Sequence, residues 1–167
     1  MKLLELKWGC LIGLVGVIWL YGSYFMGLHS DGIGKIQLMV GLGFIISFIS
    51  YGLAMSAIVK AQPETSFVEG LKSGGIMAVI AAVIAVVAQF GYFQWINPDW
   101  TRYMMDQTRI HFGAAGTSSE LIEEQVKWAE MNFSLKTYAM QAGLGALLSG
   151  FIFSAFAMGM IRFFKNR

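Results

Sequence analysis

The sequence predicts an all-α integral membrane protein: a four-helix bundle of two hairpins, with two short amphipathic helices in the third loop. Three observations carry that expectation. Of 167 residues, 56% are hydrophobic and only 13% charged, with a mean hydropathy of +0.61. Soluble domains carry about 45–50% apolar and about 25% charged residues. The 22 charged side chains (12 basic, 10 acidic) are too few to clothe a water-soluble fold of this size. Second, the charges part to leave four long uncharged runs. Third, those runs are continuously apolar and lack the alternation of a membrane barrel strand. A single cysteine and a net charge of +2 exclude a disulfide scaffold and a nucleic-acid binder.

The uncharged runs are residues 8–30, 36–59, 73–98 and 137–161, or 23, 24, 26 and 25 residues. About 20 apolar residues cross a hydrocarbon core once, so each run spans once and none spans twice. In lipid every backbone polar group must be satisfied within the segment, which selects helices. Spans are expected at about 8–28, 36–60, 74–96 and 138–162, in one domain covering 1–167. The first span is too long for a signal-peptide core and no A-x-A site follows it. Cys10 precedes the apolar run, unlike a lipoprotein acylation site.

Four spans place both termini on one face. Lys2, Lys7, Lys60, Lys72, Arg162, Lys165 and Arg167 then fall on that face, against Lys35, Arg102, Arg109, Lys127 and Lys136 in the longer opposite segments. The bias predicts cytoplasmic termini and a periplasmic loop 97–136 in an inner membrane. Tyr21, Tyr24, Tyr92, Trp95, Trp100 and Tyr103 are expected at the outer headgroups, and Trp8, Phe163 and Phe164 at the inner ones.

Within loop 97–136, Asn97-Pro98-Asp99 reads as a helix start with Asn97 as N-cap, and Gly113–Gly116 as its stop. Arg102 and Asp106 fall at i,i+4 on this helix. Thr117-Ser-Ser-Glu120 fits a capping box for the next helix. There Ile122, Val126, Ala129 and Phe133 share one face, opposite an acidic one on which Glu123 and Lys127 are spaced to pair. Two readings stand: the helices cap the bundle, or this face binds a partner or covers a ligand.

Small residues set close helix contacts in lipid. Ala142, Ala146, Gly150 and Ser154 form such a stripe in the last span; Gly9 and Gly13 do so in the first, and Gly74, Ala78 and Ala82 in the third. A weak repeat runs through the chain. Leu6–Gly9 resembles Leu71–Gly74, and Gly41–Ser47 resembles Gly143–Ser149, so a parallel 2+2 repeat about an axis along the membrane normal is expected.

No span carries Asp, Glu, Lys or Arg at its centre, the usual mark of an ion or proton pathway. Gln89, Ser47 and Ser149 are the polar candidates for an interhelical bond or a ligand contact. Neither His29 nor His111 has metal-ligand spacing. No nucleophile elbow or phosphate loop occurs, so no catalytic residue, metal or cofactor is expected, and the protein is not expected to be an enzyme. The expected partners are the bilayer and other membrane subunits, or further copies of the chain. The rival classes are a small solute carrier or channel and a lipid-handling protein.

The opening Met1-Lys-Leu-Leu-Glu-Leu-Lys-Trp-Gly9, the stretch Phe67-Val-Glu-Gly-Leu-Lys-Ser-Gly74 and the long loop before a final small-residue span resemble a bacterial family, domain of unknown function 4199. That resemblance implies a small polytopic inner-membrane protein. It carries over no catalytic residue.

Overall fold

The computed structural model describes residues 3–30 and 33–165, with the side chains of 33 and 34 excepted. Asp31, one of the acidic residues near His29 in the sequence, lies outside the described residues. Helix α1 covers Leu3–Phe25, α2 Ile33–Ala61, α3 Phe67–Gly91, α4 Trp100–Ala114, α5 Ser119–Asn132 and α6 Leu135–Lys165. A single π-helical turn, Tyr92–Ile96, extends α3. The chain is all-helical, and α1, α2, α3 and α6 are long and apolar enough to cross a membrane.

Each spanning helix starts before the uncharged stretch that predicts it, while α1 and α3 stop within theirs. Helix α3 begins at Phe67 because Ser66 and Glu69 close a reciprocal capping box, with Ser66 N–H donating to Glu69 Oε2 at 2.8 Å. Helix α1 begins at Leu3 and ends at Phe25, short of residue 28, because Gly27 terminates it. At φ +77° Gly27 adopts the left-handed conformation of a Schellman stop, with Leu28 N–H donating to Ser23 O and Gly27 N–H to Tyr24 O. Gly116, at φ +70°, ends α4 in the same way through Thr117 N–H to Phe112 O.

Both expected N-caps in the loop differ. Asp99 and Ser118 flank α4 and α5, and neither side chain bonds the helix. Asn97 is committed elsewhere, to Tyr92.

Helix α3 is the hub, with 44% of its spanning window buried against 22% for α1. It lies antiparallel to α6, pairing Gly74 with Ser154 and Ala78 with Gly150, and parallel to α1, pairing Gly9 with Ile80 and Gly13 with Ile84. Helix α2 packs on α6 and α1. The order around the bundle is therefore α1–α3–α6–α2. A two-fold along the bundle axis would exchange diagonal helices and relate α1 to α6, whereas the sequence repeat needs α1 related to α3. The two parallel hairpins instead lie side by side. Their environments differ too, since Gly9 faces α3 while its counterpart Gly74 faces α6.

Helices α4 and α5 form an antiparallel hairpin over one end, here the cap end. Arg109 of α4 pairs with Glu123 of α5 at 3.2 Å and with Asp106 at 3.6 Å. Both carboxylates thus meet Arg109, where the sequence spacing had put Asp106 with Arg102 and Glu123 with Lys127.

Candidate functional site

Two places concentrate polar chemistry inside the bundle. The first is a cavity of about 110 Å³ at mid-height, bounded by all four spanning helices. Gly13, Gly16 and Trp19 of α1 face Gly43, Ser47, Ser50 and Tyr51 of α2 across it, with Ala81 and Ala85 of α3 and Ala146 of α6 behind. Ser50 donates to Ile46 O at 2.8 Å, and Trp19 Nε1 to Met39 O at 3.2 Å. The Tyr51 ring forms part of the wall, but its hydroxyl is buried without a partner, packed toward Gly150 and Ala78.

Of the three polar candidates, only Ser47 lines this cavity. Ser149 turns its hydroxyl back to Ala146 O at 3.3 Å. Gln89 sits one turn beyond Ala85 on the same face of α3, with its Oε1 buried and unpartnered.

The small residues divide by position. A Cβ on Gly9 would approach Ile80 Cβ to 2.9 Å, and one on Gly13 would approach Ile84 Cδ1 to 2.6 Å. Gly150 lies against Ala78, and Ser154, fully buried, lies against Gly74. Ala78 and Ala82 are buried in α3. Ala142 and Ala146 are only half-buried, and the buried face of α6 runs instead through Ala139, Gly143, Gly150, Ser154 and Ala157. A strict four-residue step turns by about 40° each time on a helix of 3.6 residues per turn, so such a stripe rotates off a straight contact.

The second place is at the cap end, where Ser23, His29, Tyr92 and Asn97 converge from α1, the α1–α2 loop, the π-helical turn and the loop before α4. The Schellman stop at Gly27 folds the chain back and delivers His29 beneath α4. Ser23 donates its hydroxyl to Leu20 O at 2.8 Å, so its oxygen accepts from His29 Nε2–H at 3.0 Å. That assignment leaves Nδ1 as an acceptor for the Tyr92 hydroxyl, which in turn accepts from Asn97 Nδ2 at 2.9 Å. Each link of the row then has one donor and one acceptor, and the imidazole is neutral. Burial holds its pKa well below the usual 6.5, at about 4.

Aromatic rings close the box. Trp100 lies 5.3 Å from His29 between ring centroids and stacks on Tyr103 at 6.0 Å, with Phe133 and Tyr138 edge-on. Tyr24 meets His29 edge-on at 5.9 Å. Tyr103 donates to Ser30 O at 2.6 Å, and Thr101 to Phe133 O at 2.8 Å, tying the base of the hairpin down.

This box corrects the expected aromatic belt. Tyr92 and Trp100 are buried in it, because the π-helical turn and Pro98 bring the chain back across the bundle end; Trp95, at 83% exposed, does face outward. The sequence noted His29 near a span end, but the four partners come from four separated positions. The only local signal was a histidine two residues past a glycine stop.

The α5 face Ile122, Val126, Ala129 and Phe133 is turned inward. Val126 and Ala129 are buried where α5 packs on α4, Phe133 meets Trp100, and Ile122 is half-buried. Within the hairpin, this face is covered by α4 and is not open to a partner.

Among the described residues, no three His, Cys, Asp or Glu side chains gather into a metal site. Four apolar spanning helices around a small-residue core, capped by a hydrogen-bonded aromatic box, define a polytopic α-helical membrane protein. The family model described as "Protein of unknown function (DUF4199)" matches residues 7–162, and the chain belongs to that family. No curated protein and no solved structure matches it.

Proposed function

We propose that this protein is a non-enzymatic component of a bacterial cytoplasmic membrane, an accessory subunit of a larger membrane complex or a self-associating bundle. Both termini lie in the cytoplasm in this reading, and the α4–α5 hairpin lies outside. The observation that carries it is the contrast between an interior with little room for a solute and broad free faces. No charged side chain occupies the middle of a span, and the central cavity is small.

Outward, α2 presents Leu38, Ile45, Ile49 and Leu53, and α3 presents Val79, Val83 and Val87 at four-residue steps. Between α1 and α3 runs an apolar groove of about 310 Å³ along Val17, Tyr21, Val83, Val87 and Trp95. Lipid and a partner helix satisfy such faces equally by dispersion, and in this reading the groove is filled by a partner helix. Cross-linking in native membranes, mild extraction and native mass spectrometry test the reading. A co-purifying membrane subunit or a fixed oligomer is expected, and a lone monomer throughout overturns it.

A second reading, a small solute carrier or channel, draws on the mid-height cavity with its Ser47 and Ser50 hydroxyls. It requires solute flux in proteoliposomes that Ser47→Val abolishes without loss of folding.

A further inference from the structure

The row of hydrogen bonds from Asn97 through Tyr92 and His29 to Ser23 has only one direction in which the Tyr92, His29 and Ser23 hydrogens are all used. A proton added at His29 Nδ1 turns that nitrogen into a donor facing the Tyr92 hydroxyl. Tyr92 oxygen already accepts from Asn97, so its own hydrogen loses its acceptor inside an apolar box. Ser23 offers no relief, because its hydrogen is spent on Leu20 O. An unsatisfied donor and a bare imidazolium next to Trp100 are both costly where water is excluded.

None of these bonds ends on α4 or α5, but the rings they hold in place are the seat of the hairpin: Trp100 of α4 packs on both His29 and Tyr92. Its links to the bundle at its base run through Trp100 to His29 and Tyr138, Tyr103 to Ser30 O, and Phe133 to Tyr138, while Thr101 closes the base itself by donating to Phe133 O. We propose that the row is a latch, and that protonation of His29 releases the α4–α5 hairpin from the cap end and uncovers the aromatic box.

Among the described residues, the titratable groups facing His29 are the phenols of Tyr24 on α1 and Tyr92 after α3, with Tyr103 of α4 and Tyr138 of α6 behind Trp100. Among the described residues no carboxylate or amine pairs with the ring. A released histidine titrates near 6.5 and the latched one near 4. Protons therefore bind the released form more tightly. The latched state keeps its full advantage above pH 6.5, loses it progressively down to pH 4, and changes no further below. The shift in the released-to-latched ratio across that window is up to roughly 300-fold.

The test is made on the full chain in lipid nanodiscs. Nitroxide labels on Ala115→Cys near the hairpin tip and Gln141→Cys on α6, in a Cys10→Ser background, report distance by pulsed electron resonance. One narrow distance is expected from pH 8 to 6.5, and a second, reversible population at pH 5 to 4. His29→Gln keeps a donor and an acceptor but cannot titrate, so it should hold the narrow distance at pH 4. Tyr92→Phe removes the donor that occupies Nδ1, so release should move to higher pH. A wild-type distance unchanged at pH 4, or a His29→Gln response identical to wild type, overturns the latch. Should His29→Gln be released at every pH, the Tyr92→Phe midpoint decides: raised supports the latch, unmoved overturns it.

Discussion

The α3–α6 seam and the cap-end box are held together by opposite means. Along the seam, glycine, alanine and serine bring two backbones together, and hydrogen bonds between the helices are absent from the close pairs described. At the cap end, rings and hydroxyls from six segments meet, and direction of donation matters as much as shape. The seam is limited by volume and the box by polarity. A membrane interior favours the first, since lipid supplies no hydrophobic drive between helices and only close packing remains. The box lies where α1 has ended and the chain loops, so freed backbone and side-chain groups there must find partners within the protein.

The largest test of this difference is Gly150→Leu. A Cβ at that position already comes within 2.5 Å of both Ala78 Cβ and Tyr51 Oη. Overpacking there should cost about 3 kcal/mol, seen as a lowered thermal midpoint in detergent that does not vary between pH 8 and 5. Next is Tyr92→Phe, which removes one hydroxyl and keeps the ring, leaving Asn97 and His29 each short of a partner. It should cost about 2 kcal/mol by the same measurement, and here the cost should depend on pH.

Ser66→Ala breaks the capping box of α3 without touching either region. About 1 kcal/mol of stability should go, with fraying confined to residues 67–70 by hydrogen exchange. The smallest effect belongs to Glu123→Gln. Its exposed pair with Arg109 lies beyond the box, and equilibrium unfolding should shift by about 0.5 kcal/mol or less. A larger loss would mean that the hairpin tip, and not only its base, holds the cap in place.

The same division separates what was legible in the sequence from what was not. Four spans can be read from charge alone, because lipid excludes Lys, Arg, Asp and Glu over a fixed length. Their ends cannot, because helices continue through charged turns when caps permit: Lys72 and Glu69 lie inside α3, and Lys7 and Glu5 inside α1. Glu5 is buried and accepts from Ser73 at 2.6 Å, so this charge outside the uncharged run faces the protein. The seam residues Gly150, Ser154 and Ala78 stand out because small side chains have one main use in a span. Ala142 and Ala146 share their type but not their orientation, which depends on where α6 meets α3. The box was invisible for a different reason. Tyr, Trp and His near a span end look alike whether they face headgroups or each other, and only the path of the chain after Ile96 distinguishes them. Asn97 looked like a helix cap for the same reason, before Tyr92 claimed its amide.

The π-helical turn gives this a consequence for chain length. In an α-helix each residue advances the azimuth by about 100°, and a wide turn absorbs one residue beyond the regular count. Deleting a single residue between Tyr92 and Ile96 would let α3 run on as an unbroken regular helix, an improvement by any local measure. The same deletion would swing Asn97 and Trp100 to another side of the bundle, so the better helix would make the worse lid.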